Sequence, residues 1–345
     1  MINSFSPKPV MQFCRLPSVG QEDWRYTFAT AYVRSLETNM LSRAVFTDII
    51  NAPDFDRALD ELFSTEYAPQ EKSLQAVEQV LTQKRTEARK LFENLIIDEE
   101  IIEVFKARVD FSNMRLALRR RLTERPIGTD YCSEGNVPLE LFEQVFEQED
   151  YVLMPEYVQD AVEQGVLRYY ENRHIPHIDY GIDDAQAQYN LQVAQQINSV
   201  FLTELFLMQI DLTNIRTMLR VKWSQGQKNN VFIHGGYVEP ALLEHCVELD
   251  YEAIGPVFMP TPYEYIIENS IDYLQRHNSF LRLEALCDNH LQEFLRSTFE
   301  ITAGPQPVIA YLLLKEDEIR TIRMVVTAKK NNLDTRLVTD RLGST

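Results

Sequence analysis

The sequence predicts an all-α protein in which three pseudo-threefold-related helical domains form a funnel or ring. Long runs carry apolar residues at spacings of three and four, which is the pattern of amphipathic helices. The alternation of apolar and polar residues that is typical of strands is confined to short segments such as Val231 to His234. A helical motif also recurs at intervals of about a hundred residues, which indicates duplicated domains rather than a short-period solenoid.

The first residues, 1–19, predict an extended arm because three prolines interrupt them and few apolar positions are regularly spaced. Ser42, Asp54 and Ser73 each precede an apolar run and can cap a helix. The runs from Ser73 and from about Asp98 contain neither proline nor glycine, so each should form one uninterrupted helix. Helices are predicted at 22–40, in the runs after Ser42 and Asp54, at 73–95, 98–122, 138–149 and 154–171, twice within 184–223, and at 239–248, 261–275, 279–298, 307–329 and 333–342.

A thirteen-residue motif occurs in two long helices, at 110–122 and 211–223. The copies share Asp, Asn, Arg, Leu and Arg, where unrelated segments would share about one residue. Their offset, 211 − 110 = 101, also places Gly135 over Gly236. The same register therefore relates a long helix, a glycine turn and a following short helix.

A third copy begins at Glu318, at an offset of 318 − 214 = 104 from Asn214, and a weaker fourth lies at 33–36. With four long-helix motifs, the C-terminal helix could pack beside the N-terminal one and close the set. We predict an arm at 1–19 and three repeats, at 20–122, at 123–223 and at 224–345 with a C-terminal closing helix.

Arginines recur beside the inward-facing positions of the motif, four apart in the first two copies. They could pair with acidic residues on adjacent helices or face water. Alternatively, they could line a polar surface that binds a partner. The candidate partner-interface residues are Arg115, Arg119, Arg216, Arg220, Arg320 and Arg323.

Composition excludes several classes of function. The formal charge, 34 − 52 = −18, disfavours a contact with a nucleic-acid backbone. The four cysteines lie far apart in the sequence, which is typical of reduced thiols in a cytosolic protein. The N-terminus lacks the parts of a signal peptide, and no apolar run approaches the roughly 20 residues of a membrane span.

No familiar catalytic loop is present, since GxGxxG, GxxxxGK[ST] and HExxH are all missing from the sequence. His234 could act as a base beside a flexible loop, but the two following glycines fit a tight turn before a helix. We therefore predict no catalytic residue and no cofactor.

One cluster contains metal-ligand residue types at short spacing: His174, His177, Asp179, Asp183 and Asp184. Pro176 keeps the two histidines from sharing a regular helical face, which favours a polar loop over a metal site. We predict no bound metal.

The sequence resembles the C subunit family of V-type and archaeal-type rotary ATPases, whose eukaryotic relative is the d subunit. The resemblance is carried by residues 231–239 (VFIHGGYVE) with 248–251 (ELDY), by the two Asn-(Met/Ile)-Arg helices, and by 308–323 (VIAYLLLKEDEIRTIR). It covers nearly the whole chain in the same order. The longer N-terminal arm and the segment 173–184 depart from it.

This resemblance implies a helical funnel at the foot of the central rotor stalk. One face would receive the D- and F-type shaft subunits, and the opposite face would sit on the rotor ring of proteolipid subunits. Such a protein does no chemistry and transmits torque between ATP turnover and ion transport. It would be cytoplasmic and peripheral to the membrane. The alternative is a generic α-helical scaffold or adaptor unrelated to rotary ATPases.

Overall fold

The computed structural model describes residues 16–122, 130–148, 150–226 and 230–343, with Glu143 described by its backbone only. Within these ranges the chain forms fifteen α-helices and no strand, which confirms the all-α prediction. Residues 1–15 of the predicted arm, with Cys14, and residues 123–129 lie outside the described part. The helices are Thr27–Glu37 (α1), Arg43–Asn51 (α2), Phe55–Leu62 (α3), Leu74–Leu95 (α4), Glu99–Leu122 (α5), Leu139–Gln148 (α6), Glu156–Asn172 (α7), Pro176–Gln196 (α8), Val200–Ser224 (α9), Pro240–Glu248 (α10), Tyr251–Val257 (α11), Glu264–His277 (α12), Leu281–Ser297 (α13), Pro305–Lys330 (α14) and Thr335–Leu342 (α15).

The predicted caps are present at the start of three N-terminal helices. The Asp54 side chain accepts a hydrogen bond from the Arg57 N–H at 2.9 Å, and Ser73 accepts from the Ala76 N–H at 3.1 Å. Ser42 also accepts from a first-turn N–H. Side-chain oxygens thus satisfy donors that the first turn of a helix leaves without a partner.

Two predictions about local structure were wrong. The segment expected to be a polar loop is helical, because α8 begins at Pro176 rather than near residue 184. Proline is tolerated at the first helical position, where its missing N–H breaks no helical bond. The sequence reading also missed α11, a short helix that contains Pro256, and the strand-like residues 231–234 form an irregular turn.

The chain divides into two compact units. The central unit comprises Asp98–Glu264 with the described end of the arm, and the terminal unit comprises Val19–Ile97 with Tyr265–Thr345. These units follow spatial contacts, whereas the three repeats were drawn from sequence offsets. The division at 20–122, 123–223 and 224–345 therefore stays a prediction.

In the central unit, α5 and α9 pack against α8, which in turn packs along α7. The core includes the fully buried aromatic side chains of Phe111, Phe142 and Phe146. Met114 and Leu118 point inward, as predicted from their spacing, and so do their counterparts Ile215 and Leu219 in α9.

In the terminal unit, α14 is the central helix and contacts α1, α2, α3, α4 and α13. The residues just before α14 join the N-terminal part of the chain, because the Asp23 N–H donates to the Ala303 carbonyl at 2.9 Å and the Gly304 N–H donates to the Thr30 hydroxyl at 3.2 Å. The C-terminal long helix thus packs directly against α1. None of the described helices is long and apolar enough to cross a membrane.

Candidate functional site

The repeated motif builds a buried cluster that fastens each glycine turn to its long helix, and we call this cluster the carboxylate clamp. In its first copy, Asp110 of α5 is completely buried. Its Oδ1 accepts from the Val137 N–H at 3.1 Å, and its Oδ2 accepts from the Asn136 N–H at 3.0 Å and from the Tyr157 hydroxyl at 2.7 Å. One carboxylate therefore holds a turn and the start of α7 against α5.

One helical turn further along α5, Asn113 fixes the other side of the same turn. Its Nδ2 donates to the Cys132 carbonyl at 2.8 Å, and its Oδ1 accepts from the Cys132 N–H at 2.9 Å. Because a side-chain amide offers both a donor and an acceptor, it satisfies both backbone groups of one residue.

The second copy repeats this geometry in α9. Asp211 accepts from the Val238 N–H at 3.0 Å and from the Tyr263 hydroxyl at 2.9 Å. Asn214 exchanges two hydrogen bonds, each of 2.8 Å, with the backbone of Ile233. The sequence repeat is therefore also a repeat of polar contacts inside the core.

The glycines of the repeat are required by the same clamp. A Cβ on Gly135 would lie 2.0 Å from Asp110 Oδ1, and a Cβ on Gly236 would lie 2.2 Å from Asp211 Oδ1. Neither distance is compatible with a folded clamp. Glycine occurs here because the carboxylate occupies the space of a side chain.

The electrostatics of the first clamp reflect its burial. Removal from water raises the pKa of Asp110 above its usual 3.8, although the hydrogen bonds from Tyr157, Val137 and Asn136 act in the opposite direction. Burial and the neighbouring carboxylate also raise the pKa of Tyr157, so its hydroxyl stays a donor. In this structural arrangement the donors from Asn136, Val137 and Tyr157 all meet the Asp110 carboxylate.

Replacing Gly236 by alanine should lower the free energy of unfolding by about 2 kcal/mol, because Asp211 must move and leave buried donors without an acceptor. Denaturant unfolding monitored by circular dichroism measures this loss. Gly226→Ala is the control, since its new Cβ would lie 3.1 Å from the flexible Ser224 hydroxyl and at an ordinary contact distance of 3.9 Å from the Val221 carbonyl oxygen. Equal stabilities of the two variants would contradict the role of the clamp.

The third copy of the motif, in α14, replaces the clamp by a buried ion pair. Lys315 Nζ donates to Glu318 Oε1 at 2.7 Å and also contacts Glu66. Glu318 further accepts from the Leu41 N–H and the Tyr67 hydroxyl, both at 2.5 Å. The acceptor again binds a tyrosine and a backbone N–H, but its charge now has a cationic partner.

The candidate arginines of α5 pair with the carboxylates that had suggested a metal site. Arg115 lies 3.4 Å from Asp179 and also contacts Asp183, while Arg119 contacts Asp179. Both aspartates are on α8. Among the described residues no group of three His, Cys, Asp or Glu side chains could hold a metal ion. His177 is buried in the first turn of α8, and burial lowers the pKa of its imidazole.

The other candidate arginines are distributed over both units. In α14, Arg323 pairs with Glu78 of α4 at 2.9 Å, and the exposed Arg320 pairs with Asp317 and lies 3.6 Å from Asp288. In α9, Arg216 is half-buried and Arg220 is exposed. The structure therefore uses several of these arginines to join neighbouring helices, and their role in binding a partner stays a prediction.

A second polar cluster joins α7, α8 and the glycine turn of the second copy. Asp184 accepts from Arg168 Nη2 at 2.5 Å and from the His234 N–H at 2.8 Å, and the His234 Nδ1 lies 3.1 Å from Asp184 Oδ2. Burial raises the pKa of Asp184, but the hydrogen bonds from His234 and the charge of Arg168 outweigh it and hold the pKa below 3.8. His234 thus anchors a turn.

The hydrogen bond with Asp184 raises the pKa of His234 above its usual 6.5, against the opposing effect of burial. The interaction between His234 and Asp184 should contribute its full stability below pH 6.5. This contribution should disappear as the pH rises through the raised pKa of His234. NMR titration of the His234 ring protons should give the raised pKa, and Asp184→Asn should return it towards 6.5. An unchanged value in that variant would contradict this assignment.

Sequence reasoning identified the Asp, Asn and Gly positions of the repeat but missed their tyrosine partners, Tyr157, Tyr263 and Tyr67. It also missed that Lys315 and Glu318 form a buried pair. A signal existed for this pair, because the offset of 104 places charged residues over Asp211 and Asn214.

Comparison with known proteins supplies the family. The family model described as "ATP synthase (C/AC39) subunit" matches residues 29–341. The C subunit of the V-type sodium ATPase of Enterococcus hirae is 22% identical over 318 residues, which cover 90% of this chain and 95% of the relative. The C subunit of the A-type ATP synthase of Methanococcoides burtonii is 19% identical over 360 residues, covering 96% and 99%. The chain belongs to the ATP synthase (C/AC39) subunit family.

Proposed function

We propose that this chain is a non-catalytic connector in the central stalk of a V-type or A-type rotary ATPase. It couples the rotating shaft of the soluble head to the membrane rotor ring and is held at the cytoplasmic face of the membrane through the complex. The observation that carries the proposal is the family match over residues 29–341, with relatives from both types of rotary machine.

The helices supply the stiffness that this role needs. α5, α9 and α14 contain 24, 25 and 26 residues, and helices of this length span about 36–39 Å. The clamps fasten the following turns to α5 and α9 by buried hydrogen bonds. A torque applied to a short helix would therefore pass to a long helix without first deforming a loose loop.

The repeated arginines suit docking contacts that can be released. Arg119, Arg220 and Arg320 are exposed, and exposed ion pairs contribute little stability and can exchange partners. We place the D- and F-type shaft subunits and the proteolipid ring as the partners of this connector. Exposed charged residues of this kind guide association and set its register more than they add affinity.

Co-expression with the catalytic, shaft and ring subunits of its rotary ATPase tests the proposal. The chain should co-purify with the shaft, and removing it should uncouple ATP hydrolysis from ion transport while hydrolysis in the isolated head persists. A chain that binds neither shaft nor ring would instead support an unrelated helical adaptor.

A further inference from the structure

The terminal unit contains a cleft of about 330 Å³ between α2, α13, α14 and α15. Its wall is partly apolar, with Phe46 from α2 and Leu314 and Met324 from α14. The volume lies at the lower end of the range of ligand sites, roughly 300–1,000 Å³. The cleft is therefore large enough to receive one large side chain and its polar neighbours.

Three of the acidic side chains that line the cleft already have cationic partners. Asp288 pairs with Arg341 at 2.7 Å, and Asp317 pairs with Arg320. Glu318 pairs with Lys315. Glu293 is the fourth acidic residue of the lining. Most of the negative charge around the cleft is thus neutralised from within the fold.

Two arginines of the lining bind only neutral groups. Arg43 Nη2 donates to the Gly343 carbonyl at 3.3 Å, and Arg296 Nη2 donates to Gln292 Oε1 at 3.4 Å. Neither guanidinium has an ion pair within the described residues, and both are exposed. The whole chain has a formal charge of −18, so arginines that lack a carboxylate partner are unexpected in it. Arg43 and Arg296 lie beside an apolar wall, and we infer that an anion from outside the chain binds there.

We propose that the cleft docks an acidic segment of another protein of the complex, which places one apolar side chain against Phe46 and Met324 and its carboxylates on Arg43 and Arg296. Arginine binds carboxylates through two parallel hydrogen bonds, so it favours a fixed geometry. A free inorganic anion would leave the apolar wall uncovered. This inference rests on the proposed function, because the partner belongs to the same rotary ATPase.

A photo-crosslinking experiment in the assembled complex identifies the occupant. p-Benzoylphenylalanine replaces Thr47, an exposed residue of the cleft lining, and mass spectrometry sequences the crosslinked peptide. We expect a segment with acidic residues on both sides of an apolar one. A crosslinked segment without acidic residues, or no crosslink in an assembled complex, overturns the proposal.

Affinity measurements with the purified shaft and ring proteins give the second test. The double variant Arg43→Glu with Arg296→Glu should weaken binding at least about ten-fold, with a loss that shrinks at high salt. Arg57→Glu is the control for a single charge reversal outside the cleft, because its side chain is 71% exposed on α3, and the effect of the double variant should be far more than twice the effect of this one. Thermal unfolding checks that both variants are folded.

The two proposals fail in different ways. If the charge-reversed variant binds with wild-type affinity, the cleft is excluded as the docking site, although the chain still joins the complex. If the wild-type chain does not join the complex at all, both the connector function and the docking of an acidic segment are excluded.

Discussion

Replacing Lys315 by methionine is expected to lower the free energy of unfolding by about 3–5 kcal/mol, which is among the largest effects of a single substitution in this chain. The Lys315 and Glu318 side chains are only 3% and 4% exposed. Methionine fills a similar volume but leaves the buried carboxylate without its cation. The hydrogen bonds from the Leu41 N–H and the Tyr67 hydroxyl remain, yet they supply no full charge.

A double variant separates the loss of the ion pair from the loss of packing. Lys315→Met with Glu318→Gln removes both charges, so it should cost less than Lys315→Met alone. Lys72→Met is a surface control, since Lys72 pairs with Asp60 where both side chains are partly exposed, and it should cost less than about 1 kcal/mol. Urea unfolding of the wild-type chain and these three variants compares the losses in unfolding free energy. A double variant as unstable as the single one would contradict a buried charge as the cause.

Gly181→Ala should destabilise the chain by about 3 kcal/mol, although alanine is favoured over glycine by about 1 kcal/mol inside a helix. A Cβ at Gly181 would lie 2.5 Å from the Gln164 carbonyl oxygen and 2.9 Å from the Gly165 Cα. These atoms belong to the backbone of α7, so no side-chain rotation can relieve the contact. The variant must push α7 and α8 apart.

The facing glycine of the same helix pair is the control. The atoms nearest to a Cβ on Gly165 would be side-chain carbons of Ile182, Leu118 and Ile178, at 3.3–3.5 Å. Gly165→Ala should therefore change the unfolding free energy by less than about 1 kcal/mol. Thermal unfolding of both variants measures the difference, and a stabilised Gly181→Ala protein would exclude the close backbone contact.

The local part of the carboxylate clamp could be predicted from the sequence, and the distant part could not. Asp110, Asn113 and Gly135 recur at one offset because the same number of residues, 135 − 110 = 236 − 211 = 25, separates each aspartate from its glycine. The tyrosine hydroxyls recur at a different offset, 263 − 157 = 106. The second copy has α11 before its tyrosine, where the first copy has the 3-10 helix Tyr151–Leu153. An alignment of the repeats at one offset therefore misses the tyrosines, even though their hydroxyls complete the same carboxylate clamp.

The ion pair of α14 shows a second limit of sequence reasoning. Tyr67 lies 251 residues before Glu318, so no local pattern connects them. Likewise, the close approach at Gly181 depends on packing against α7. The helix that starts at Pro176 was predicted to be a loop because proline was expected to interrupt a helix, whereas here it occupies the first helical position. Local capping was predictable, whereas charge partners and backbone crossings depend on tertiary packing.

The terminal unit is built from two chain segments that are synthesised at different times. Its first part, residues 19–97, leaves the ribosome before α14 exists, and Pro305 follows Ile97 by 208 residues. At 5–20 residues per second, this interval is roughly 10–40 s. During it the apolar face of α1, including Ala29 and Val33, has no α14 to cover it. The nascent chain must therefore keep this face from aggregating, and a chaperone that shields α1–α3 would act in that interval.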